Sequence, residues 1–165
     1  MSYKNIDVQP VSGALGAEIS GADLDADLDN ETFDDIHQAF LDHQVIFFRD
    51  QNLSPEKHTA FGRRFGSLNV HPYVKGMQDH PEVMEIIKEP EDKVNFGGGW
   101  HSDMSFLEEP ALGSILHSIE VPAFGGDTLF ASQYKAYEAL SEGMKEMLDG
   151  MVAIHTAERE YGQGG

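Results

Sequence analysis

Strand-like and helix-like segments follow one another along this chain without the regular alternation that builds a parallel sheet. Short apolar stretches typical of strands cover residues 4–8, 14–19, 45–48, 83–87, 112–121 and 128–131, and residues 151–155 could begin another. Helical spacing covers residues 30–43, 54–66, 134–140 and 142–148. This order favours an α+β fold in which helices pack outside a largely antiparallel sheet or jelly roll.

Four aspartates at alternate positions, Asp23 to Asp29, match the opening of a calcium-binding loop. The match then fails, because the sixth loop position lacks glycine and the twelfth carries Asp34 in place of a bidentate glutamate. We therefore predict a solvated turn that caps the helix beginning at Asn30.

Charge and composition restrict the partners of the chain. A net charge of -18 and a pI near 4.5 argue against nucleic acid or an anionic membrane surface, which leaves small molecules as the natural ligands. The chain has no cysteine, so any metal must be held by histidine and carboxylate side chains. With neither a leader-like start nor a long apolar run, we expect one soluble cytoplasmic domain.

The motif that points most directly to chemistry is His101-Ser102-Asp103, which follows a glycine-rich approach. On a strand, residues i and i+2 project from the same side, so His101 and Asp103 are predicted to share one metal ion. Two histidines and one carboxylate are the ligand set of non-haem Fe(II) oxygenases. A His-x-acid pair is weak evidence alone, as His80-Pro81-Glu82 shows, because proline makes a strand pair unlikely there.

Several segments together carry a family resemblance. They are Trp100-His101-Ser102-Asp103, the later Gly125-Gly126-Asp127-Thr128-Leu129-Phe130, and the segments 16–24, 43–51, 65–68 and 71–72. In these segments the chain resembles the taurine dioxygenase family of Fe(II)- and 2-oxoglutarate-dependent oxygenases, which includes alkylsulfatase and phenoxyacetate-herbicide dioxygenases. The resemblance covers nearly the whole chain.

The resemblance implies that residues 1–165 are the N-terminal portion of a single catalytic domain with a double-stranded β-helix, or jelly-roll, core that is incomplete at its C-terminus. It implies an enzyme that hydroxylates a small organic substrate, such as a taurine-like sulfonate or a sulfate ester, using O2 and 2-oxoglutarate and releasing succinate and CO2. The second iron histidine and the arginine that clamps 2-oxoglutarate are expected beyond residue 165.

Individual roles follow from the same resemblance. His101 and Asp103 match the first two iron ligands, and Thr128 matches the threonine that bonds the distal carboxylate of 2-oxoglutarate. His71 matches a histidine that contacts an anionic substrate head, with Tyr73 and Gly97 at neighbouring substrate positions. Two departures disfavour taurine itself: glycine replaces an expected asparagine at position 97, and the expected tyrosine falls on Val74, with Tyr73 one position early.

Each assignment has a simpler alternative. His101 and Asp103 could form a surface ion pair, Thr128 could serve only as a strand former, and His71 could be a loop histidine bonded to backbone. His117 is predicted to be a packed or hydrogen-bonded histidine and not a ligand, and family placement argues against His155 as the third ligand. For the whole protein, the alternatives are a non-oxidative metal-binding jelly roll and an inactive fragment, and a homo-oligomer is left open.

Overall fold

The computed structural model describes residues 3–93 and 96–158 of the chain. These residues form two compact units. The first unit runs to Lys57 and also contains His117–Met151, whereas the second contains His58–Leu116 and the residues from Val152 onward. The candidate residues are divided between them: His71, Tyr73, Gly97, His101 and Asp103 belong to the second unit and Thr128 to the first.

The first unit contains a three-stranded sheet in the order β1-β2-β3. Strand β1 (Asp7–Pro10) pairs antiparallel with β2 (Ala17–Ser20), and β2 pairs parallel with β3 (Ile46–Phe48). Alternate residues of β2, Ala17 and Ile19, are buried, as expected for a strand with one face against a core. The sequence predicted all three strands, each within a few residues of its observed position.

Helix α1 (Asn30–His43) is the longest helix, and it begins where the sequence predicted. The Asp29 carboxylate accepts a hydrogen bond from the Thr32 backbone N–H at 2.7 Å, which satisfies one of the free amides of the first turn. Phe33, Ile36 and Ala39 recur at helical spacing and are buried on one face. The predicted capping turn is thereby confirmed.

Three shorter helices complete the secondary structure of the described residues. They are α2 (Pro55–Arg63), α3 (Gln133–Glu138) and α4 (Glu142–Asp149). Ser132 and Ser141 cap α3 and α4 through their hydroxyl groups, and the Tyr137 hydroxyl joins the two helices by donating to Asp149 at 2.6 Å. All four helices were predicted from periodicity and caps.

The later strand predictions are wrong for the described residues. Residues 83–87, 112–121, 128–131 and 151–155 have no strand pairing, and neither does the segment around His101. A strand exists only when a neighbour completes its backbone hydrogen bonds, and apolar side chains do not supply that neighbour. Ile119, Val152 and Ile154 are accordingly about nine-tenths exposed.

The described structure therefore confirms a mixture of helices and a small sheet, while its sheet has three strands and does not form a jelly roll. Among the described helices, none has both the length and the apolar character needed to cross a bilayer.

Candidate functional site

Asp103 begins a turn, and neither Asp103 nor His101 lies on a strand. Residues 103–106 form the turn, in which the Leu107 N–H donates to the Met104 carbonyl oxygen at 3.0 Å. Met104 has a φ of 54°, a left-handed conformation that a strand does not contain. The predicted strand is therefore wrong here, and Trp100, which precedes His101, is largely exposed.

The turn nevertheless brings the predicted pair together. His101 Nε2 lies 3.0 Å from Asp103 Oδ1, and the two side chains are 53% and 56% exposed. Both groups can therefore be reached from solvent. The strand was expected to bring the two side chains together, and a different backbone conformation does so.

The ring of His101 is oriented by backbone. Its Nδ1 lies 2.8 Å from the Gly99 carbonyl oxygen. A carbonyl oxygen only accepts, so Nδ1 carries the hydrogen of this bond. In the neutral ring Nε2 then carries no hydrogen, and this is the atom that lies nearest Asp103.

The Asp103 carboxylate is held by Ser114. The Ser114 hydroxyl donates to Asp103 Oδ2 at 2.7 Å and leaves Oδ1 directed at His101. Reasoning from the sequence did not include Ser114 in the site. Its only local signal was a hydroxyl within the otherwise apolar stretch 112–116.

His101 Nε2 and Asp103 Oδ1 are both electron-rich, so at 3.0 Å apart they need a positive charge between or beside them. A proton on Nε2 would make an imidazolium–carboxylate ion pair. A bound metal ion would also suit the spacing, because two ligands about 2.1 Å from an ion and at right angles lie about 3.0 Å apart. Imidazole and carboxylate are donors suited to Fe(II), so the residues fit that ion. Among residues 3–93 and 96–158, no cluster of three or more metal-ligating side chains occurs.

The second candidate region is the loop that begins at His71. His71 Nδ1 accepts hydrogen bonds from the backbone N–H groups of Tyr73 at 3.2 Å and Val74 at 2.9 Å. The structure thus contains the backbone-bonded loop histidine that the sequence left as an alternative. Because Nδ1 is the acceptor, the neutral ring carries its hydrogen on Nε2.

An open hollow of about 480 Å³ lies against the same loop and is lined by residues that include His71, Tyr73 and Lys75. The Tyr73 ring lies 6.0 Å from the ring of Phe106, which ends the turn that carries Asp103. This contact connects the two candidate regions of the second unit.

Two parts of the backbone in the loop beside the hollow lie very close to each other. Met77 N–H donates to the Val83 carbonyl at 2.8 Å, and a Cβ on Gly76 would lie only 2.1 Å from the Pro81 carbonyl oxygen. Only glycine fits at position 76, for steric reasons.

Gly97 lies beside the His101 ring. It has a φ of +66°, and a Cβ built there would meet His101 Cε1 at 3.2 Å and Nε2 at 3.8 Å. Any side chain at position 97 would therefore crowd the edge of the ring that faces Asp103. The departure from the asparagine of taurine-type enzymes thus has a structural consequence at the candidate ligand.

Thr128 lies shortly after Gly125 and Gly126, which have positive φ values of 80° and 71°. Its side chain is exposed, and it lies in an extended segment without strand pairing. The simpler reading of Thr128 as a strand former is therefore wrong for the described structure.

The remaining candidates have structural partners or open surroundings. His117 Nε2 donates to the Gln51 carbonyl oxygen at 3.2 Å, which confirms the prediction of a hydrogen-bonded histidine. Glu82 pairs with Arg63 at 2.7 Å, and Asp27 pairs with Lys57 at 3.4 Å. His155 is exposed.

Comparison with known proteins decides the family. Residues 7–165 match the family model described as taurine catabolism dioxygenase TauD, TfdA family. The chain belongs to the TauD/TfdA family. An alpha-ketoglutarate-dependent sulfate ester dioxygenase of Pseudomonas putida is 36% identical over 157 residues, which are 94% of this chain and 51% of that protein.

Further TauD/TfdA relatives give the same result. An alkylsulfatase of Acinetobacter baylyi is 35% identical over 160 residues, 96% of this chain and 50% of that protein. The crystal structure of a taurine dioxygenase from Burkholderia xenovorans superposes with a TM-score of 0.78 at 36% identity, over 89% of this chain and 52% of that one. The chain therefore spans about half the length of the relatives it matches.

Proposed function

We propose that the protein is an Fe(II)- and 2-oxoglutarate-dependent dioxygenase that hydroxylates a small organic substrate. The single observation that carries the proposal is the approach of His101 Nε2 to Asp103 Oδ1 at 3.0 Å in a chain of the TauD/TfdA family. When bound, ferrous iron and 2-oxoglutarate would supply O2-dependent hydroxylation, with succinate and CO2 as the other products.

The residues of this chain would hold and orient the reactants. His101 and Asp103 would supply two iron ligands, and a histidine beyond residue 165 would supply the third. Thr128 would donate its hydroxyl hydrogen to a carboxylate of 2-oxoglutarate. The wider fold we propose is the jelly roll that the family resemblance implies, formed by one catalytic domain to which residues 1–165 contribute. The cytoplasmic location expected from the sequence stays a prediction.

The hollow beside His71 suits an anionic substrate group. Lys75 brings a positive charge to a chain whose net charge of -18 would otherwise repel an anion, and the polar ring of His71 lines the same hollow. A sulfonate or a sulfate ester fits these two groups, and relatives of the chain are named for both substrate classes. Gly97 and Val74 offer no polar side chain for the amine of taurine, so we propose a less polar substrate.

The function is tested with the full-length protein. Succinate formation from 2-oxoglutarate, measured with Fe(II), O2 and a panel of sulfate esters and sulfonates, should fall below detection in His101→Ala and in Asp103→Ala. Each variant is compared with the wild type by thermal melting to establish that it folds. Turnover retained in both folded variants would refute the proposal.

A protein that binds a metal without oxidative chemistry is the second candidate, because an imidazole and a carboxylate 3.0 Å apart could also hold a metal ion that activates no O2. The same assay separates the two. A non-oxidative protein would bind Fe(II) through His101 and Asp103 and would form no succinate with any substrate of the panel.

A further inference from the structure

We propose that Ser114 is a positioning residue for the metal ligand Asp103. Its hydroxyl would fix the rotation of the carboxylate so that Oδ1, and not Oδ2, is offered to the ion. This inference rests on the proposed function, and it adds to it a residue outside the ligand motif.

The geometry separates the two oxygens of the Asp103 carboxylate. Oδ2 accepts the Ser114 hydroxyl hydrogen at 2.7 Å, while Oδ1 lies 3.0 Å from His101 Nε2. A carboxylate turns about a broad, roughly two-fold torsion, so its direction is weakly set by its own chain. A hydrogen bond to one oxygen therefore determines where the other one points.

The two proposed ligands are oriented by different kinds of group, a backbone carbonyl for one and a side-chain hydroxyl for the other. His101 is oriented by the backbone carbonyl of Gly99, which a side-chain substitution does not remove. Asp103 is oriented by a side chain eleven residues later in the chain. Groups that orient metal ligands in this way typically change metal affinity by about 10- to 100-fold when removed. Asp103 is 56% exposed, so water competes with the serine and the lower end of that range is expected.

The test compares two substitutions of nearly equal volume in the full-length protein. Ser114→Thr keeps a hydroxyl, whereas Ser114→Val replaces it with a methyl group. Anaerobic titration with Co(II), followed by its visible absorption bands, should show about tenfold weaker binding and altered bands for Ser114→Val, and nearly wild-type behaviour for Ser114→Thr. Ser114→Ala, which adds no volume, should resemble Ser114→Val.

Ser118→Ala is the matched control, because Ser118 is likewise an exposed serine and belongs to the first unit, whereas Ser114 and Asp103 belong to the second. Equal Co(II) affinity and equal bands in the wild type, Ser114→Ala and Ser114→Val would overturn the inference. Asp103→Ala tests the proposed function separately: it should lose the bands, and wild-type bands in that variant would refute the metal site itself. Loss in Asp103→Ala together with no effect at Ser114 would refute the positioning role alone.

Discussion

At the residue scale, the His101 and Asp103 side chains are too exposed for their pairing to add much to folding stability. An exposed ion pair contributes only about 0–1 kcal/mol to folding, because water screens the charges and ordering two side chains costs entropy. These two side chains are more than half exposed, yet each has a second hydrogen-bond partner, Gly99 for the histidine and Ser114 for the aspartate. Folding stability gains little from this arrangement, whereas the proposed metal site would depend on it directly.

Gly97 provides a test of the crowding beside His101. In the full-length protein, Gly97→Ala should weaken Fe(II) binding about tenfold, since its Cβ would meet the ring at 3.2 Å and its φ of +66° disfavours a side chain. Anaerobic titration with Fe(II) measures the effect. Gly99→Ala is the matched control, because a Cβ there meets nothing within 4 Å and its backbone carbonyl is kept. Equal affinities in the two variants would contradict the steric argument.

The residues of the site were predictable in part. His101 and Asp103 are only two positions apart, so the sequence could identify them as a pair. The pair forms even though the predicted strand is absent at this place. Ser114 could not be found, because its contact with Asp103 joins positions eleven residues apart through a turn that no local pattern predicts. The use of His71 Nδ1 as an acceptor for two amides likewise depends on the path of the loop.

At the element scale, helix α1 anchors the segment that leads into β1. The Asp35 carboxylate accepts hydrogen bonds from the backbone N–H groups of Lys4 and Asn5, each at 2.8 Å. These bonds, with that from Asn5 the largest cause, lower the pKa of Asp35 below its usual value. The helix thus holds the start of the sheet through one side chain.

We expect Asp35→Asn to lower the free energy of unfolding by about 1 kcal/mol at neutral pH, a small value because the bonds are exposed to water. Chemical denaturation of the 165-residue chain measures it, with Asp34→Asn as the exposed control. A lowered carboxyl pKa stabilises the fold above the unfolded value of about 3.9 and loses that effect as pH falls through the folded value. The difference between the wild type and Asp35→Asn should therefore shrink below about pH 4; a constant difference would exclude the charged carboxylate as its source.

Some helices and strands are determined by residues close together in the sequence, whereas others depend on distant residues. The helices were predicted because their caps and periodic apolar faces lie within one segment, as for Asp29 and the buried face of α1. The first strands were predicted because β1 and β2 are close neighbours along the chain. Residues 112–121 have the same apolar character and form no strand, since a strand also depends on where its neighbour lies.

At the scale of the whole molecule, large apolar side chains are exposed across the later half of the chain. Ile119, Phe124 and Val152 are each 90% exposed, and Ile154 is 91% exposed. The buried hydrophobic residues lie before position 62, from Ile6 to Phe61. The core of the described structure is therefore concentrated in the earlier part of the chain.

The two-ligand site leads to a prediction for residues 1–165 produced alone. Titration with Fe(II) and 2-oxoglutarate under nitrogen should give no visible charge-transfer band, because no described cluster supplies three ligands. The full-length protein should give the band under the same conditions, and its His101→Ala variant is the control. A band from residues 1–165 at ordinary protein concentrations would mean that another group, such as His155, completes the site.

The sequence by itself determined the features whose causes are local: the four helices, the first three strands and the ligand types available without cysteine. It also determined the family to which the chain belongs. Only the tertiary structure decided that His101 and Asp103 lie on no strand, that Ser114 reaches Asp103, and that the later apolar segments form no strand. The physical reason is the range of the interactions. Caps and apolar periodicity act within a few residues, whereas strand pairing and the orientation of a ligand depend on atoms that the folded backbone brings from elsewhere.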